Sequence, residues 1–119
     1  MGNYTFNKAY ITKPIDEIVE HINTKLKESN TFTGIGQGKK YTIIRVSPIT
    51  IYYSGQDRNH GDPEEISIAD LKVVLGQLKH LPTFNTNSQL LKDNIPHSLY
   101  RKRTPLFAIL SHSGIIHEV

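Results

Sequence analysis

The sequence predicts an α+β fold: an N-terminal helix packed on a small antiparallel sheet of two or three strands, then a helical C-terminal half of three helices with helix-turn-helix character. Three observations carry that expectation. Apolar residues recur at helical spacing between positions 15 and 26, the period drops to two between 41 and 53, and helical spacing returns from 68 onward. Strands and helices are thus segregated along the chain and do not alternate as βαβ units would.

The first helix is written in Ile15, Ile18, Val19, Ile22 and Leu26, which fall on one stripe. Thr12 is the expected N-cap and Pro14 lies in the first turn, where its missing N–H costs nothing. Asp16 and Glu17 suit the positive helix end, and Lys25 and Lys27 the negative one. Because the polar face mixes signs, the helix suits a protein core better than a membrane surface.

Residues 31–40 contain Gly34, Gly36 and Gly38 and read as a loop. It runs from helix into strand and has no hydroxyl after its lysine, so it is not a phosphate loop. Residues 41–46 and 49–53 are rich in β-branched and aromatic side chains, with Ser47-Pro48 as the break between two hairpin strands. Alternation puts Ile49 and Ile51 on one face, Thr50 and Tyr52 on the other. Residues 54–65 carry no large apolar side chain and read as an exposed loop, after which 66–68 form a third strand or lead into a helix.

Ser67 and Asp70 have capping-box spacing, and Ile68, Leu71, Val74, Leu75 and Leu78 continue as a helical stripe over 69–81, with Gly76 inside it. A short helix is expected at 88–93. Thr104 as N-cap and Pro105 at the first position open a third helix over Leu106, Phe107, Ile109 and Leu110, which Gly114 ends in a left-handed conformation. Ile115 and Ile116 then enter a short strand or an extended tail.

One domain spanning 1–119 is expected from 119 residues whose Leu, Ile, Val and Phe content exceeds the roughly 20% below which chains stay disordered. The absence of cysteine excludes disulfides, thiol nucleophiles and cysteine-ligated zinc. Neither a targeting pattern nor an apolar run long enough to span a bilayer occurs, so the expected location is the cytoplasm.

Fourteen basic residues against eleven acidic ones give a net charge of +3. The local balance says more: residues 71–117 hold six cations and one acid, Asp93. Arg101-Lys102-Arg103 immediately precede the Thr104-Pro105 helix start, where free N–H groups and the helix dipole favour an anion. Asn85, Asn87, Ser88 and Gln89 cluster before another helix and have the side chains that read base edges or grip a backbone. With Lys39, Lys40, Arg45 and Arg58 as peripheral contacts, the expected function is nucleic-acid binding, to DNA in preference to RNA.

Two other readings compete. An accessory module would dock a protein partner on an exposed apolar patch of Tyr52, Tyr53 and Phe84. A metal-dependent hydrolase would draw on Asp62, Glu64, Glu65, Asp70 and Lys72, but Asp70 is explained as a capping acid and the others lie in a loop that does not pre-organise a cation. The six histidines have no ligand spacing. Catalytic residues, cofactors and metals are therefore not expected.

Overall fold

The computed structural model describes residues 3–34, 38–56, 58–87 and 89–119. In chain order these form strand β1 (Tyr4–Phe6), helices α1 (Lys8–Ile11) and α2 (Ile15–Glu28), strands β2 (Thr31–Thr33), β3 (Lys40–Val46), β4 (Thr50–Gly55) and β5 (Glu64–Ser67), helices α3 (Ile68–Leu78), α4 (Gln89–Asn94), α5 (His97–Tyr100) and α6 (Arg103–His112), and strand β6 (Ile116–Glu118). Strands β2-β3-β4-β5 make an antiparallel sheet, and β1 pairs with β6 apart from it. None of these helices is long and apolar enough to cross a membrane.

This corrects the expected layout of one helix on two or three strands. The mixed α+β chain has a four-stranded sheet and six helices among the described residues. Strand β2 was hidden inside the glycine loop because it is three residues long, with one buried Phe32 between exposed Thr31 and Thr33. The segment expected at 66–68 as a third strand or helix lead-in is both: strand β5 starts earlier, at Glu64 and Glu65, poor strand formers that pair with Tyr53 and Tyr52 of β4, and Ile68 already opens α3. Strand β1 joins the two chain ends: Val119 N–H donates to Asn3 C=O at 2.9 Å, and Tyr4 exchanges backbone hydrogen bonds with Phe84 at 2.7 and 2.9 Å.

The helix-turn-helix expectation fails for a packing reason. A recognition helix needs an exposed face, whereas α6 is buried at every position from 105 to 110. It packs on α2 and β6, and the four-residue α5 occupies the connection between α4 and α6. Helix α2 buries Ile18, Val19, Ile22 and Leu26 against β3, α3 and α6. Thr12 does not cap it. Thr12 is instead the C-cap of α1, whose start is capped by Asn7 Oδ1 accepting the Ala9 N–H at 3.0 Å.

Other local signals act where the residues place them. Ser67 Oγ accepts the Asp70 N–H at 3.0 Å and opens α3. Gly114, at φ +78, closes α6: its N–H donates to Ser111 C=O at 3.1 Å and the next N–H, of Ile115, reaches Leu110 C=O at 2.9 Å. A Cβ built on Gly76 meets nothing within 4 Å, so that glycine serves no close packing.

The sheet buries Phe32, Tyr41, Ile43, Ile51, Tyr53 and Ile66 on its inner side. Its other face is open along β2, β3 and part of β4. A bulge at Ile44 sets this geometry, because Ile43 pairs with Tyr53 while Arg45, two residues on, pairs with Tyr52. Ile49 does not share a strand face with Ile51. It sits in the turn held by Ser47 Oγ and is 74% exposed. The expected apolar patch is corrected as well: Tyr53 and Phe84 are buried and only Tyr52 is half-open.

Candidate functional site

The cation triplet at 101–103 does not form a phosphate cradle. Lys102 turns its ammonium onto the carbonyl of Glu65 in β5. Arg103 folds back on Tyr100, donating to its carbonyl at 3.2 Å with the guanidinium carbon 4.4 Å from the ring centroid. Arg101 remains exposed beside them. Helix α6 begins two residues earlier than its sequence suggests, with Lys102 rather than Thr104 as N-cap and no side-chain cap. Pro105 then occupies the third position and has no N–H to offer, while the Leu106 N–H is taken by Lys102 C=O at 2.9 Å.

Most of the expected readout residues are bound internally. Asn85 donates to Asn3 Oδ1 at 3.0 Å and accepts the Asn87 N–H at 2.8 Å, so both ends of its amide hold the chain in place. Gln89 donates to Asp93 one helical turn on, at 2.9 Å. The Asn87 side chain is exposed, and Ser88 lies outside the described residues. Residues 85–87 are thereby fastened to the β1 end of the molecule.

Arg58 is likewise committed to structure. Its Nε and Nη2 donate to the two oxygens of Glu64 at 2.9 and 3.2 Å, both side chains being largely covered. The hydrogen bond to Glu64 raises the Arg58 pKa above its ordinary value, with burial pulling the other way. Close by, burial pushes the Tyr53 and Tyr41 phenols up from the usual tyrosine value. The Tyr53 hydroxyl has no hydrogen-bond partner among the described residues.

Lys40 and Arg45 are the two expected residues that the fold brings to one open surface. The outer sheet face is organised in three rows by strand register: Thr33 opposite Lys40; Thr31, Thr42 and Ser54; and Arg45, Tyr52 and Glu65. Rows stand roughly 7 Å apart and neighbouring strands about 4.8 Å. Arg45 lies over Tyr52, and Lys102 reaches the Glu65 backbone at the β5 edge, so the third row runs toward the α5–α6 turn that carries Arg101. Lys39, adjacent to this face in sequence, is half-buried, and its carbonyl accepts the Gly34 N–H at 2.6 Å.

The hydroxyl rows are not among the residues that the sequence singles out, and Tyr52 stands there only as part of an apolar patch. The signal was there: polar and apolar residues alternate through 40–43 and resume out of phase at the Ile43-Ile44 doublet, which marks the bulge. For the hydrolase alternative, no group of three potential metal ligands occurs among the described residues, and Lys72 is paired with Asp16 at 2.9 Å. No protein-family model, curated protein or solved structure shows significant similarity to this chain.

Proposed function

We propose that this chain binds nucleic acid, DNA before RNA, through the open face of its four-stranded sheet. The observation that carries the proposal is the composition of that face: Lys40 and Arg45, the hydroxyls of Thr31, Thr33, Thr42 and Ser54, and one aromatic ring, Tyr52, with Glu65 of β5 the acid at the edge of the third row. Cations and hydroxyls suit phosphate oxygens. A ring and a guanidinium plane on a flat sheet suit unstacked bases, which favours a single strand over a duplex. Arg101, at the edge where Lys102 meets β5, extends the basic surface.

Fluorescence anisotropy with labelled single-stranded and duplex DNA and RNA tests this. Three phosphate contacts, from Lys40, Arg45 and Arg101, correspond to a log–log salt slope of about −2 on a single strand. The combined change Lys40→Ala, Arg45→Ala and Arg101→Ala is expected to abolish binding at low salt. Retained affinity in that variant, or no affinity in the parent protein, refutes the proposal.

A protein partner is the second reading, carried by Ile44 at 52% exposure on the bulge and Ile49 at 74% on the β3–β4 turn. Sedimentation of the parent protein and of an Ile44→Ser, Ile49→Ser variant separates self-association through these side chains from a monomer.

A further inference from the structure

The third row of the open face ends at Glu65, and a groove lies at the other end of the face, beside Lys40. The groove has a volume of about 400 Å³ and is lined by Lys40, Thr42, Ser54, Gly55, Gln56 and Gly61. That volume lies within the range of small-ligand sites, roughly 300 to 1,000 Å³. Among the described residues the lining holds one cation, two hydroxyls and a carboxamide, and no acid.

The register explains why these donors converge. Thr42 and Ser54 are directly opposed in the β3–β4 ladder, so their hydroxyls stand side by side, and neither is engaged by another described residue. Gln56 is oriented by the backbone next to it. Its Oε1 accepts the Lys40 N–H at 3.1 Å, which leaves the amide nitrogen as the end with hydrogens to give. The Gln56 N–H in turn donates to Lys40 C=O at 2.9 Å, closing the ladder at this end of the groove.

Gly55 lies beneath the groove and faces the other way: a Cβ there would stand 2.9 Å from Arg58 Cδ and from the Tyr41 ring, on the inner side of the sheet. Gly61, at φ +81, follows Asn59 and His60, which also have positive φ, and a Cβ on it would meet nothing within 4 Å. The tight left-handed turn at 59–61 therefore brings backbone, and no bulky side chain, to the groove.

We infer that this groove binds a phosphate monoester, the terminal phosphate of a nucleic-acid strand lying on the sheet. A terminal phosphate has three non-bridging oxygens and close to two negative charges, so it uses several donors at once where an internal phosphodiester offers two oxygens and one charge. The inference rests on the sheet-face reading for the identity of the strand, and its chemistry is shared with a free nucleoside monophosphate.

Three oligonucleotides of one sequence, phosphorylated at the 5′ end, phosphorylated at the 3′ end, or at neither, are titrated by anisotropy. One phosphorylated form is expected to bind the parent protein roughly tenfold more tightly than the unphosphorylated strand, in line with several added charge-assisted hydrogen bonds. A Thr42→Val, Ser54→Ala variant is expected to lose that ratio, and Arg45→Ala to weaken all three strands while keeping it. Inorganic phosphate and adenosine monophosphate are titrated in parallel against 15N-labelled protein, following the amides of Thr42, Ser54, Gln56 and Gly61; the same spectra show whether each variant is folded, and Gln56→Leu replaces the double variant if it is not.

Equal affinity for all three strands overturns the terminal-phosphate site and leaves sheet binding standing. A preference that survives in the groove variants also overturns it. Shifts of the four amides with phosphate and the monophosphate, without binding of any strand, support the groove and refute the sheet-face proposal. Silence in both experiments refutes both.

Discussion

Arg45 lies over the ring of Tyr52, its guanidinium carbon 5.3 Å from the ring centroid, on the face of the sheet that the core does not cover. The pair exists because the bulge at Ile44 shifts the register by one residue and places Arg45 opposite Tyr52. An exposed contact of this kind contributes about 0.5 to 1 kcal/mol, so its use is more to hold a flat cationic surface than to stabilise the fold. Arg45→Ala is expected to lower single-strand affinity and flatten the log–log salt slope by about 0.7, the share of one phosphate contact. Tyr52→Leu is expected to weaken binding with the slope unchanged, because it removes stacking and leaves the charge. Anisotropy titrations from 50 to 300 mM salt, on the order of the range where such slopes are read, separate the two.

Arg58 and Glu64 form a two-pronged pair beside buried tyrosines. Removing the arginine leaves a largely covered carboxylate without its counter-charge, and Arg58→Ala is expected to cost about 2 kcal/mol, below the range for fully buried pairs because both side chains keep some solvent contact. Replacing both residues, Arg58→Met with Glu64→Leu, is expected to recover most of that loss. Urea unfolding of the three proteins measures it, and a double variant as unstable as Arg58→Ala would contradict the account.

Tyr53 is buried, and its hydroxyl is unpaired among the described residues. Burial raises its pKa above the ordinary value of 10.0. Below pH 10 the phenol is neutral in the folded and unfolded chains alike and stability is complete. Above it the unfolded chain releases the proton first and stability falls as pH rises. Tyr41 and Tyr4 are raised by burial too and add to the same loss. Tyr53→Phe is expected to lessen the alkaline loss and, having no hydrogen bond to forfeit, to be neutral or stabilising by up to about 1 kcal/mol at pH 7. Urea midpoints between about pH 8.5 and 11.5 show whether the slope changes.

Two helical glycines are expected to respond with opposite signs. Gly76 is inside α3 with open space around its Cβ position, and Gly76→Ala is expected to stabilise by about 0.5 to 1 kcal/mol. Gly114 holds the left-handed C-cap of α6 at φ +78, and Gly114→Ala is expected to cost about 1 kcal/mol. Ser67→Ala, which removes the α3 cap, is expected to cost a similar amount, about 1 kcal/mol. Thermal melts of the three variants order them.

The helices α2, α3, α4 and α6 were the readable part of this sequence because their signals are local; the four-residue α1 and α5 were not legible. The stripes of α2 and α3, the Ser67 cap and the Gly114 stop each depend on residues a few positions apart. Strands β1 and β2 were not readable, and β5 was legible only as one alternative at 66–68: each has three or four residues, too few for a period of two to stand out, and each is held by pairing with another segment. Helix α6 was legible as a helix and misleading as a site. Its apolar residues run all round, which signals a buried helix, and that weighs against the cation triplet at its start more than the net charge speaks for it.

The residue types on the open sheet face are determined by the sequence: a cysteine-free chain, a modest positive charge, scattered Lys and Arg, and a phase break at Ile43-Ile44 that shifts one strand. Which cations share a surface was decided by the tertiary structure alone. Strand pairing put Lys40 and Arg45 on one face and folded Arg58, Lys102 and Arg103 into internal contacts. A side chain's neighbours across a sheet are set by register, and register depends on segments that are far apart along the chain.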